Sequence, residues 1–308
     1  YARMKDGVIL VNAARGGIYN VDSLADFLAA GKIGAVGLDV WENEPCTESP
    51  LHEFPNAILT PHLGASTKEA QLRAGVQTAE YVAAGLAGSI VPTAVNMAPV
   101  PPEVMDAVGP YVPACQMMGS MLAQIHGEVP QYLKLTAAGA LADADPSILV
   151  AGTVKGLLSY QGRATVTPVN ADAVAQRHGI KVETQARPDA DGYASTVAVM
   201  ADGTEVACTR GDAAQTARLV SLLGYKIDIA PGRQSLIFEY VDAPGRMGTI
   251  GTILGEAGIN ITTMQIGAKP ADRCALVYMN VEGEVEDAVL SRLRAEIPEL
   301  KNLWYVKL

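Results

Sequence analysis

Three short stretches decide the reading of this chain: Gly7-Val-Ile-Leu-Val-Asn-Ala-Ala-Arg-Gly-Gly17, Gly37-Leu-Asp-Val-Trp-Glu-Asn-Glu-Pro45 and Leu59-Thr-Pro-His-Leu-Gly-Ala-Ser-Thr67. Each pairs an apolar run with one ionisable side chain just beyond it: Arg15, Glu44 or His62. Gly7 to Asn12 is a continuous apolar run of the kind that suits a parallel strand covered on both faces. Asn20 to Ala30 has helical spacing, with Val21, Leu24, Phe27 and Leu28 on one side. Asn20 is placed to cap this helix and Gly31 to end it. Further strands are expected at Ala35 to Val40 and Ala57 to Thr60. Ser66 and Glu69 have capping-box spacing ahead of a long helix, roughly Lys68 to Leu86.

Strand, helix, strand with short links is the pattern of a doubly wound α/β sheet, here a partial Rossmann-like one. Ligands of such sheets bind beyond the carboxyl ends of the strands. Arg15, Asp39, Glu44 and His62 all fall at or just after those ends. Taken singly, each has an ordinary explanation: a surface arginine, a turn carboxylate, a loop histidine. Their shared position argues for a site. An arginine fork holds a carboxylate or polarises a carbonyl, and an imidazole moves a proton near neutral pH. A carboxylate beside it orients the ring and stabilises its protonated form. Hydride transfer at a carbonyl needs these groups together with a cofactor as hydride carrier.

The chain has 308 residues, which suggests two or three domains. Hydrophobic residues make up 49% and aromatics 5%, so cores rest on aliphatic side chains. A net charge of −10 and an isoelectric point near 4.9 argue against a nucleic-acid partner. Cys46, Cys115, Cys208 and Cys274 form no metal or disulfide pattern. No metal site is expected, and a reduced, cytoplasmic setting fits. No apolar run is long enough to span a bilayer, so no membrane association is expected. Residue 1 is Tyr, and the sequence runs almost at once into a buried-type strand. A segment preceding it is therefore expected.

The three motifs resemble the C-terminal signature segments of the D-isomer-specific 2-hydroxyacid dehydrogenases. The resemblance implies that Arg15, Glu44 and His62 are catalytic and that NAD is the cofactor. It implies NAD contacts at Ala14, Asp39, His62 and Gly64. No GxGxxG motif follows a strand anywhere in the sequence, and dinucleotide affinity depends on such a loop. The chain as written is therefore expected to bind NAD weakly and to turn nothing over alone.

Ala98 to Pro102 marks a boundary. The residues beyond it, 99–235, read as an α+β intervening domain. Glu103 to His126 is largely apolar and Met-rich, and Met105, Met117, Met118 and Met121, at helical spacing, read as core. Tyr132 to Ala140 reads as a strand. Helices are expected at Ser147 to Tyr160 and Asn170 to His178, and two strands, Ala194 to Met200 and Glu205 to Thr209, join at Asp202-Gly203. Residues 236–308 have the order βαββαβ, the ferredoxin-like pattern, whose sheet leaves a face or edge free for pairing.

Glu239 to Ile261 (EYVDAPGRMGTIGTILGEAGINI) closely resembles an ACT domain. Val154 to Gly179 resembles the intervening domain of long-form D-3-phosphoglycerate dehydrogenases. In that family it has been linked to anion binding, for which Lys155, Arg163, Arg218 and Lys226 are candidates, with solvated surface charge as the alternative. The ACT resemblance implies L-serine as effector, contacted by Tyr240, Asp242 and Asn260. The alternative is that Asp242 caps a helix and Asn260 turns the chain. The order 1–98, 99–235, 236–308 implies NAD-dependent oxidation of 3-phospho-D-glycerate to 3-phosphooxypyruvate by a homo-oligomer, a tetramer with ACT–ACT contacts. Competing readings are a non-catalytic amino-acid-binding regulatory chain and a dehydrogenase for another D-2-hydroxy acid.

Overall fold

The computed structural model describes residues 1–87, 91, 93–95, 101–160, 162, 166–167, 169–210, 216–269 and 273–308, with no side-chain description at Pro102. The chain divides into two compact units, Tyr1–Ser89 and Ile90–Leu308. The boundary expected at 98/99 lies outside the described residues.

The first unit runs β1 (Val8–Asn12), α1 (Val21–Ala29), β2 (Ile33–Leu38), a 3-10 turn at Pro50–Glu53, β3 (Ala57–Leu59) and α2 (Lys68–Leu86). The strands are parallel, in the order β1-β2-β3. Asn20 caps α1 by accepting from Ser23 N at 2.8 Å. Leu24 and Leu28 of α1 pack with Leu10, Ile33, Val36, Leu38 and Leu51 on one face of the sheet. Each such buried aliphatic side chain contributes about 1.5–3 kcal/mol.

The expectation of cover on both faces fails for the other face. Ile9 and Val11 are each 69% exposed and Ile58 is 73% exposed. A continuous apolar run reports what a strand is suited to, not what this chain packs against it. The expected capping box at Ser66 and Glu69 is also corrected. Thr67 is the cap, accepting from Ala70 N at 3.1 Å, so the helix starts one residue later than the box requires.

Because the three strands are parallel, Asn12, Leu38 and Leu59 end on the same side. The loops that follow them therefore open together.

The second unit begins with α3 (Pro102–Val108), a 3-10 turn at Gly109–Tyr111, α4 (Val112–His126), β4 (Tyr132–Gly139), α5 (Ser147–Tyr160) and α6 (Ala171–Arg177). It continues through β5 (Lys181–Arg187), β6 (Ser195–Ala201), β7 (Thr204–Arg210), β8 (Ala217–Leu222) and β9 (Tyr225–Ile229). The apolar, Met-rich stretch 103–126 is not one continuous helix. Gly109-Pro110 interrupts it, since proline offers no N–H to the preceding turn. Met118 and Met121 are fully buried, as expected of core. Gly119 and Gly156 let α4 and α5 meet backbone to backbone: a Cβ on Gly156 would lie 1.8 Å from Gln116 O.

The sheet order is β5-β4-β6-β7-β8-β9, with β5 parallel to β4 and the remaining pairs antiparallel. Asp202 and Gly203 have φ of +41° and +88° and make the tight turn between β6 and β7. Strands β5, β8 and β9 are additions to the sequence reading. Lys-Val-Glu-Thr-Gln-Ala-Arg in β5 is an exposed edge strand with almost no apolar alternation to reveal it.

The chain ends with β10 (Gln234–Val241), α7 (Arg246–Glu256), β11 (Asn260–Lys269), β12 (Cys274–Glu282), α8 (Asp287–Glu296) and β13 (Leu300–Lys307). Their sheet has the order β11-β12-β10-β13. Leu236, Phe238, Val277 and Met279 face α7 and α8, contributing to a core with Ile250, Leu254 and Leu293. The alternate residues Ile237, Leu276, Tyr278 and Val306 join the core of Met118, Leu122 and Ile227. Neither face is left free, then; the opening is at edge strand β11, where Met264 and Ile266 are each 44% exposed. Asn280 fixes the link between the two sheets. Its Oδ1 accepts from Gly232 N (2.7 Å) and Ser235 Oγ (3.0 Å), and its Nδ2 donates to Ala230 O (2.9 Å).

Candidate active site

The loops after β1, β2 and β3 hold the ionisable side chains. Asp39 follows β2 directly. Its Oδ1 accepts from Thr60 Oγ1 (2.5 Å) and Leu63 N (2.7 Å), and its Oδ2 accepts from Gly64 N (2.8 Å). These bonds hold the Asp39 carboxyl below its ordinary range, the Thr60 hydroxyl being the largest cause. They also fix the turn carrying His62, whose φ of +57° is unusual for a residue with a side chain. Gly64 lets the loop close, for a Cβ there would stand 2.9 Å from Asp39 Oδ2.

His62 Nδ1 lies 2.7 Å from Glu44 Oε2. The other oxygen, Oε1, accepts from Trp41 N at 2.9 Å, and Trp41 Nε1 donates to Thr60 O at 3.1 Å. Hydrogen bonding by His62, then by Trp41 N, keeps the Glu44 carboxyl below its ordinary range. An ionised Glu44 can only accept, so the proton of neutral His62 sits on Nδ1 and Nε2 is left as the base. Both side chains remain open to solvent, at 43% and 36%.

Arg15 lies on the loop after β1. Asn12 Oδ1 accepts from Ala14 N (3.0 Å), and Asn12 Nδ2 donates to Arg15 O (2.9 Å). Gly16 passes so close to the next loop that a Cβ would lie 2.0 Å from Trp41 O. The main chain next to Arg15 thus touches the segment that holds Glu44. The guanidinium donates to Ala14 O at 2.7 Å, is exposed, and makes no ion pair with the described residues. Glu44 and His62 are brought into direct contact; Arg15 is brought to the neighbouring loop with its charge unspent. Sequence reasoning missed the supports Asn12, Trp41 and Thr60. An Asn at the end of a strand is a known turn-former, and that signal was available at Asn12.

Ala14, Asp39, His62 and Gly64, the residues expected to contact NAD, lie on the loops after β1, β2 and β3. Asp39 offers about four lone-pair positions and uses three, which leaves one acceptor for a carboxamide N–H. The residues present fit the nicotinamide end; the sequence contains no glycine-rich pyrophosphate loop. Among the described residues no group of three His, Cys, Asp or Glu is placed to hold a metal.

Residues 1–64 match the D-isomer specific 2-hydroxyacid dehydrogenase NAD binding domain, 107–219 the D-3-phosphoglycerate dehydrogenase intervening domain, and 234–298 the ACT domain. The D-3-phosphoglycerate dehydrogenase of Mycobacterium leprae (strain TN) is 38% identical over 311 residues, covering 98% of this chain and 58% of that protein. The proteins of that name from Synechocystis sp. and Bacillus subtilis are 33% and 31% identical over 316 and 315 residues, covering 100% of this chain in both cases. Three family models thus match successive segments of the chain, which is similar along nearly its whole length to D-3-phosphoglycerate dehydrogenases. The chain spans 56% and 59% of those two relatives, a little under three fifths of each.

Tyr240 is 2% exposed and packs in the core beneath α7. Burial, with the Asp242 carboxylate nearby, pushes its phenol up to about 12. Asp242 is exposed and is not the cap of α7; that position is Gly245. The Asn260 amide donates to Glu282 Oε2 at 3.0 Å. Among the middle-domain candidates, Arg218 is held by Asp228, Nε to Oδ1 at 2.5 Å. Lys155 is half-buried and Lys226 is exposed. Arg163 lies outside the described residues. Among the described residues no helix is long and apolar enough to cross a membrane.

Proposed function

We propose that this chain serves the NAD-dependent oxidation of 3-phospho-D-glycerate to 3-phosphooxypyruvate, the entry to L-serine synthesis. The observation that carries this reading is the 2.7 Å contact between His62 Nδ1 and Glu44 Oε2, on a loop clamped by Asp39. In the proposed reaction His62 Nε2 takes the proton of the substrate's C2 hydroxyl. Glu44 stays ionised and stabilises the imidazolium that forms. Arg15 holds the substrate carboxylate with its fork of donors. NAD, when bound, accepts the hydride. A positioned base of this kind contributes roughly 10²- to 10⁴-fold to the rate.

The remaining parts of the reading are regulatory. The blocks 99–235 and 236–308 are taken as intervening and ACT domains behind a catalytic block, 1–98. L-serine is the proposed effector, at Tyr240, Asp242 and Asn260. A homo-oligomer, a tetramer paired through ACT domains in the cytoplasm, is the proposed working form. The exposed start of edge strand β11 supports that pairing.

The test is NADH formation by the complete gene product with 3-phospho-D-glycerate, D-lactate and glycolate compared side by side, with and without L-serine. Preference for the phosphorylated acid is expected. Equal or better turnover of an unphosphorylated acid would contradict the substrate assignment. A second reading, an amino-acid-binding regulatory chain, is favoured by the compactness of residues 90–308 as a unit of their own. Calorimetry on the 308-residue chain separates the two: L-serine binding without NADH binding favours the second.

A further inference from the structure

Asn12 is almost fully buried, 6% exposed, at the carboxyl end of β1. A buried amide needs partners for both its ends. Those partners are the two residues that set the direction of the substrate-holding loop: Ala14, whose N–H it accepts at 3.0 Å, and Arg15, whose carbonyl it donates to at 2.9 Å. Its own carbonyl accepts from Asp39 N at 3.0 Å. Asp39 in turn grips Thr60, Leu63 and Gly64. One unbroken path of hydrogen bonds therefore runs from the backbone of Arg15, through Asn12 and Asp39, to the loop of His62. Gly16 closes the arrangement against Trp41, leaving the Arg15 backbone little room to shift.

We propose that Asn12 is a positioning residue for Arg15. It never touches substrate; it fixes the main chain from which the guanidinium reaches out, so that the fork meets a carboxylate placed over His62. Without the Nδ2 donor, Arg15 O loses its partner and the loop can swing on Gly17. The Glu44–His62 contact is held from Trp41, Thr60 and Asp39 rather than from the Asn12 side chain, so proton transfer keeps its geometry. This inference rests on the proposed role of Arg15 as the carboxylate anchor.

The test uses the complete gene product in four forms: wild type, Asn12→Asp, Asn12→Ala and Arg15→Lys. Asn12→Asp keeps the acceptor for Ala14 N and turns an oxygen toward Arg15 O; Asn12→Ala removes both bonds without adding charge. In folded variants, checked by thermal melting, KM for the hydroxy acid is expected to rise roughly 10- to 100-fold, as expected for a misplacement of about an ångström. The pH profile of kcat should stay near wild type. If Arg15→Lys raises KM and both Asn12 variants, folded, leave it unchanged, the positioning role is overturned and the anchor reading stands. A kcat loss with a displaced pH profile in the Asn12 variants overturns it too, because the damage then extends to His62. If Arg15→Lys itself leaves KM unchanged, the anchor reading fails and takes this inference with it.

Discussion

His62 and Glu44, eighteen residues apart, meet at 2.7 Å because two parallel strands end side by side and each is followed by a loop pinned to the other. Trp41 N holds one Glu44 oxygen, and Thr60 O holds the Trp41 ring nitrogen. Replacing Glu44 by Gln puts an amide group where the carboxylate accepted from Nδ1. An amide N–H facing Nδ1 selects the tautomer with its proton on Nε2, the nitrogen that must be free. Turnover by the complete gene product is expected to fall roughly 10²-fold or more, with substrate KM little changed. Steady-state kinetics on the purified variant check this.

Asp39 and Glu44 both have folded-state values below the ordinary 3.8 and 4.5. A depressed carboxyl stabilises the fold above its unfolded value, and that stability is lost as pH falls through the folded value. The first unit should therefore keep this contribution down to about pH 5 and lose it progressively below the ordinary carboxylate range. In Asp39→Asn the difference in melting temperature from wild type should be largest near neutrality and should shrink as the solution is acidified. A difference independent of pH would contradict the assignment.

Gly156 sits inside a helix, where exchange for alanine ordinarily stabilises by about 0.5–1 kcal/mol. Here the added methyl would stand 1.8 Å from Gln116 O, a backbone atom on the facing helix. Gly156→Ala is expected to destabilise residues 90–308 by about 1–3 kcal/mol or more, read as a lower denaturant midpoint.

Asn280→Ala would strip partners from Gly232 N, Ser235 Oγ and Ala230 O at the junction between the two sheets of the second unit. A loss of about 1–3 kcal/mol is expected for each polar group left buried without a partner. Hydrogen exchange at Gly232 should accelerate more than at the centre of β12.

Much of the fold was legible because its signals are local. The cap at Asn20, the Asp202-Gly203 turn and the alternation of β10 each declare themselves within a few residues. Strand β5 was hidden because an edge strand exposed on nearly every residue carries no apolar period. At the site, residue types and strand ends pointed to Arg15, Glu44 and His62. The supporting bonds of Asp39 and Trp41 could not be read, since they depend on how separate loops stack, whereas those of the Asn12 side chain are local to its own turn. Tyr240, read from the end of the first strand of its block, turns into the core from its place in β10.

The most direct test of the central claim is a comparison of wild-type and His62→Ala forms of the complete gene product, followed by NADH formation from 3-phospho-D-glycerate. Turnover is predicted to drop roughly 10²- to 10⁴-fold while the melting temperature stays close to wild type. A His62→Ala enzyme within a few-fold of the wild-type rate would contradict the assignment of His62 as the base, and with it the dehydrogenase reading of this site.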